Sequence, residues 1–280
     1  MDNTNENKLD DLQNELLRLY GILADFCDKK KIRYYGCGGT ALGAIRHDGF
    51  IPWDDDMDIA IPRKDYEILI SEESNKLFDK GISAKFDKEL LFSRFMDTTV
   101  RCSRGDSEWN ELFPYLYIDV FPIDGTPNNG LLRMIHFYRI MFIFTVLKLK
   151  RIKYLQKIEY MKNRRHRPFI ERVVIKYGHL ISPIIDRLDE DKLVKKYNKL
   201  CCKYDYDNSK VVCVYSGRYR KREMISKEMI GKGKMHQFSG CEIPIYEKAE
   251  EYVKQIYGQN YMELPPISDR EKHGDVEIIR

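Results

Sequence analysis

Apolar positions near the start of the chain recur at alternating steps of four and three. Leu12, Leu16, Leu19, Leu23 and Phe26 fall on one side of a 3.6-residue spiral, which predicts an amphipathic helix over about 9–29. The period then changes. Ile32-Arg33-Tyr34-Tyr35 reads as a short strand entering Gly38-Gly39, Thr40 to Arg46 returns to a helical pattern, and Asp48-Gly49 marks a turn. Asp56-Met57-Asp58-Ile59-Ala60-Ile61 alternates polar and apolar, as a two-faced strand does, so Asp56 and Asp58 are expected on one face. Pro62 suits a first helical turn, and Tyr66, Leu69, Ile70 and Leu77 carry that helix to about residue 77. Strands follow over 91–96 and 115–121. From about 129 to 200 the pattern is almost wholly helical. A short strand (211–215), a Gly/Lys loop (231–234) and a helix near 246–257 come after it. The alternation of helix and strand predicts an α/β (α+β) core over 1–128 with a small mixed sheet. A helical, basic insertion (129–205) and a C-terminal part (206–280) that packs back on the core complete the expected organisation.

Composition locates the charge rather than altering this picture. With 280 residues, 43% apolar and 33% charged, the chain is of ordinary globular make-up and can bury a substantial core. Its net charge of +4 conceals a segregation. Lys148 to Lys176 holds eleven Lys/Arg against Glu159 and Glu171, whereas acids gather at 54–58. Seven cysteines, an odd number without a C-x-x-C pair, fit reduced thiols better than a disulfide framework or a zinc site. The first ten residues lack the basic-then-apolar pattern of a signal peptide. Ile140–Leu147 is too short to span a bilayer, and the wider 131–149 stretch carries Arg133, His136, Arg139 and Lys148. A cytoplasmic location is expected.

Ile51-Pro52-Trp53-Asp54-Asp55-Asp56-Met57-Asp58-Ile59 places four carboxylates in five positions, an arrangement that repels itself without a counter-cation. A solvated acidic loop is the competing reading, and the flanking apolar residues argue against it. Asp56 and Asp58 form a two-pronged oxygen site suited to a hard divalent ion such as Mg2+ (or Mn2+). Asp54 shares their parity if the strand extends that far; Asp55 would face away, toward Arg46, His47 or Lys64. Gly38 and Gly39, opening a helix, would offer backbone N–H groups to a phosphate. Asp119 is a lone acid in the apolar strand Tyr117-Ile118-Asp119-Val120-Phe121 and must meet the same cation or a positive side chain. Asp124, in Pro122-Ile123-Asp124-Gly125, reads as a turn acid. Arg46 and His47 contact phosphate or pair with the acids.

The order Gly38-Gly39, Asp56-x-Asp58, Asp119 resembles the polymerase-beta-type nucleotidyltransferase superfamily. The longer run from Gly39 to Ile59, with Asp119-Val120-Phe121-Pro122-Ile123-Asp124-Gly125, resembles the LicD family of phosphocholine transferases, related to the fukutin-type ribitol-phosphate transferases. Tyr257-Gly258, Tyr261-Met262, Pro265-Pro266, Arg270 and His273 extend the similarity to the C-terminus; the helical middle shows no matching motif. The resemblance implies a nucleotidyltransferase-like core with carboxylates on adjacent strands. It further implies Asp56, Asp58 and Asp119 as catalytic metal ligands, and Gly38, Gly39, Thr40, Arg46, Arg270 and His273 around the donor. The donor would be a CDP-alcohol, and the acceptor a hydroxyl of a glycan or lipid-linked glycan precursor.

The basic segment admits a solvated helix face, or docking of 140–176 on an anionic membrane surface, which would make the protein peripheral on the inner face of the cell membrane. Nucleic acid is disfavoured because no recognition module accompanies the charge. Two rivals to the phosphotransferase reading remain: nucleotidyl transfer to a small molecule, and a non-catalytic membrane-associated partner in polysaccharide assembly.

Overall fold

The structure is a computed structural model that describes residues 3–104, 114–151, 185–267, 270 and 276–279. Helix α1 (Asn3–Lys30) buries Leu12, Leu16, Leu19 and Leu23 completely, so the heptad-like spacing does select the inward face. Strand β1 (Tyr35–Gly36) leads into α2 (Gly38–His47), whose last turn ends where Asp48 takes a left-handed φ of 51°. Strand β2 (Asp58–Pro62) is followed by α3 (Arg63–Leu69) and α4 (Glu72–Asn75). The single helix expected over 62–77 is thus two. Ser71 divides them by leaving helical geometry and accepting the Ser74 N–H at 3.1 Å as an N-cap.

Strands β3 (Ile82–Asp87), β4 (Phe92–Arg104) and β5 (Tyr115–Gly125) form an antiparallel meander, and α5 (Gly130–Lys150) and α6 (Glu190–Cys201) pack together beyond it. Then come β6 (Val211–Cys213), β7 (Met224–Ser226), α7 (Lys227–Ile230), the hairpin β8 (Lys234–Phe238) and β9 (Cys241–Ile245), α8 (Ala249–Tyr257) and β10 (Val276–Ile279).

Among the described residues ten strands join in one mixed sheet. Its main path runs β10-β4-β5-β2-β1-β9-β8, with β3 beside β4 and β6–β7 branching from the end of β5. The β2/β5 and β1/β9 pairs are parallel, and the others antiparallel. The sheet is larger than the small one expected because β3, β7 and the β8–β9 hairpin carry weak alternation. The hairpin turn is Ser239-Gly240, both at positive φ, and β8 is mostly exposed.

The main core gathers Leu16, Ile59 and Ile118 with Ile225, Phe238, Ile245 and Tyr252 from the C-terminal part. A second cluster joins Phe137, Ile140, Phe144 and Leu147 of α5 to Val194, Tyr197 and Cys201 of α6. Most of the stretch between these helices, 152–184, lies outside the described residues.

Candidate functional site

Parallel pairing of β2 with β5 sets Asp58 beside Asp119 in register. Laterally paired residues project from the same face, and adjacent strands lie about 4.8 Å apart, so these carboxylates stand side by side. The ladder reaches back one residue, where the Asp119 N–H donates to the Met57 carbonyl at 3.0 Å. Residues 51–57 are turn and coil rather than strand, so alternation does not govern Asp54, Asp55 and Asp56. Their carboxylates instead cluster, with ligand oxygens within 4.8 Å of one another. Asp55, expected to face away from the other acids, is buried and has a carboxylate oxygen within this cluster. Lys64 pairs with Asp205, and Arg46 donates to His47 Nε2 (2.9 Å) and to the Tyr261 carbonyl (2.9 Å).

Electrostatics tie the groups together. Burial, then the charges of Asp56 and Asp119, pushes Asp58 well above the ordinary carboxylate range, and a Gly39 N–H pulls it back. Burial, then Asp56, Asp55 and Asp58, does the same to Asp54. Burial, then the charges of Asp58, Glu223, Asp119 and Asp56, raises the buried Cys37 thiol well above its ordinary value.

Helix α2 opens on this cluster. It has no acid in its first turn and no side-chain cap from Cys37, so its positive end is met by Asp58 from the neighbouring strand. Gly38 sits at φ +52°, where a Cβ would lie 2.6 Å from Asp58 Oδ2; a Cβ on Gly39 would lie 2.9 Å from Asp54 Oδ2. The glycines therefore let these carboxylates come close to the helix start. The Gly38 N–H is taken by the hydroxyl of Tyr252 at 3.1 Å. Thr40 Oγ1 accepts the Asp58 N–H at 2.8 Å and so fixes the strand end.

Sequence reasoning left two residues unassigned. Arg94 on β4 pairs in register with Asp119, binds its Oδ1 at 2.9 Å and lies 3.8 Å from the Tyr117 ring centre. A lone base in an apolar strand was the available signal, the mirror of the lone acid at 119. Glu223, 7% exposed at the entry to β7, is raised by burial to about 7 and acts on Asp58 in turn. Its neighbours Arg220, Lys221 and Arg222 disguise it as part of a solvated charge run.

Asp124 is not a turn acid. It is 1% exposed inside β5 and takes two hydrogen bonds from Arg63, at 2.6 and 2.8 Å. The Arg270 guanidinium lies 4.4 Å from the Trp53 ring centre. Burial, with Arg270 adding to it, lowers Arg46, while Asp54 opposes the shift. His273 lies outside the described residues.

Carboxylates on paired strands, a helix start aimed at them and arginines at their edge define an α/β transferase with a nucleotidyltransferase-type site. Residues 31–172 match the LicD/FKTN/FKRP nucleotidyltransferase domain, and the chain belongs to that family, as an enzyme of the LicD phosphotransferase type. Over 257 residues, 88% of each chain, it is 26% identical to the lipopolysaccharide cholinephosphotransferase LicD of Haemophilus influenzae. An uncharacterized protein of Rickettsia typhi is 43% identical over 124 residues, 42% of this chain and 38% of that one. One of Rickettsia prowazekii is 46% identical over 75 residues, 26% and 28% of the respective chains.

Proposed function

We propose that the enzyme transfers phosphocholine, or a polyol phosphate, from a CDP-alcohol to a hydroxyl of a cell-surface polysaccharide, teichoic acid or lipopolysaccharide precursor. The relative matched along most of both chains is a lipopolysaccharide cholinephosphotransferase, which supports this substrate class. The observation that carries the reading is the in-register pair Asp58–Asp119 beside Asp54–Asp56. A CDP-linked donor also favours action in the cytoplasm or on the inner face of the membrane.

The donor set is all oxygen, and Asp54 and Asp58 are raised by burial and by their acidic neighbours, which fits Mg2+ or Mn2+. Asp56, Asp58 and Asp119 would hold the ion, which when bound offsets negative charge on the donor diphosphate and departing CMP. Arg94 holds the Asp119 carboxylate in a fixed orientation. Arg46, which feels the charges of Asp54 and Arg270, and Arg270 beside Trp53 would receive the donor phosphate. The acceptor oxygen attacks the phosphorus bearing the alcohol, its bond to CMP breaks in line, and a carboxylate of the cluster takes the hydroxyl proton.

Incubation with Mg2+, CDP-choline, CDP-ribitol or CDP-glycerol and a glycan acceptor tests this. The expected result is CMP release and an acceptor heavier by the phosphoalcohol. An acceptor carrying a nucleotide would establish nucleotidyl transfer instead. No CMP from any donor, with the ion bound, would leave only a binding role.

A further inference from the structure

Helix α5 is apolar on two opposite sides. Phe137, Ile140, Ile143, Phe144 and Leu147 turn inward against α6 and the end of the sheet. The apolar stretch 140–147 that the sequence offered for membrane docking is therefore mostly spent on packing. On the other side Leu131 (72% exposed), Ile135, Tyr138 and Phe142 (71%) recur at i, i+4, i+7 and i+11, one continuous stripe in water. Four large apolar side chains in one row exceed the scattered exposure normal for a soluble surface. Tyr138 and Phe142, with Arg139, Lys196 and Leu200, line a shallow groove of about 480 Å³ between α5 and α6.

The surrounding charge selects the occupant. Helix α5 contains no acidic residue, and Arg139 is exposed beside the stripe. Lys195, Lys196 and Lys199 are exposed on α6, whose acids, Glu190 and Asp191, sit in its first turn. Two copies of the chain meeting through this face would oppose like charges. The segment 152–184 carries eight Lys/Arg against Glu159 and Glu171, so it too would meet a rim of its own sign. An anionic lipid surface matches both the apolar row and the cations. At 21 residues α5 is long and apolar enough by composition to cross a bilayer. Crossing would strip its inner face from α6, so the geometry fits a helix lying along the surface instead.

We infer that the outer face of α5 is a docking surface that seats Leu131, Ile135, Tyr138 and Phe142 among the headgroups of an anionic bilayer. The inference uses none of the acid cluster, and its test reads binding rather than turnover.

The full chain is sedimented with vesicles of phosphatidylcholine alone and of equal parts phosphatidylcholine and phosphatidylglycerol. Binding is expected to the mixed vesicles, weakened by salt, with little to the neutral ones. Ile135→Ser with Phe142→Ser should lower the partition coefficient more than about tenfold, while the thermal unfolding curve stays unchanged because both side chains are exposed. Phe142→Trp should add a fluorescence component quenched by brominated lipid. Three results would overturn the assignment. They are failure of the wild type to sediment at low salt, wild-type affinity in the double variant, or a solution dimer that the double variant dissociates.

Discussion

A side chain at position 38 would collide with Asp58, and the backbone there already lies in the left-handed region. Gly38→Ala is therefore expected to cost about 1–2 kcal/mol from backbone strain, to displace Asp58, and to lower turnover; urea unfolding and an activity assay check the two effects. Asp58 separates stability from function in the opposite sense. Its buried carboxylate is held in repulsion by Asp56 and Asp119, so Asp58→Asn should raise the metal-free Tm while abolishing turnover. A loss of both would make Asp58 a structural acid. These residues were legible because a gathering of like charges among apolar neighbours has few structural uses. Glu223 was not, since nothing in a run of Arg and Lys marks its one acid as the member that turns inward.

Strand β5 shows how an element can be read correctly and ended too early. Pro122 and Gly125 look like the close of a strand, which is why Asp124 reads as a turn residue. The antiparallel ladder to β4 stops at Val120, so Pro122 falls past it, while β2 continues to pair through Ile123. Asp124 is thus carried into the interior, where Arg63 at the first turn of α3 donates to its two oxygens from Nε and Nη2. Arg63→Ala would leave that carboxylate buried and unpaired, and chemical denaturation should record a loss of about 3–5 kcal/mol. Register between strands is invisible to a one-dimensional pattern. The sequence could place Asp58 and Asp119 on strands, but only pairing β2 with β5 sets them level.

Across the molecule, charge segregation was plain from the sequence, with acids at one site and bases in the helical region. The ten-strand sheet was not, because its added members are short or exposed edges whose pairing supplies what their side chains do not. The acids couple folding to pH. Glu223 moves from an ordinary 4.5 to about 7, and Asp54 and Asp58 shift in the same direction. A carboxylate raised by folding supports the fold fully below its unfolded value and loses that support as pH climbs through the folded one. The metal-free Tm should therefore fall as pH rises from about 4.5 through about 7, and added Mg2+ should restore it most at the upper end; differential scanning fluorimetry reads both. The central claim is that Asp56, Asp58 and Asp119 act together on a divalent ion. Mn2+ binding followed by electron paramagnetic resonance tests it most directly, in the wild type and in Asp58→Asn and Asp119→Asn. Tight binding that weakens at least about tenfold in each variant is predicted; equal affinity in all three proteins would contradict the account.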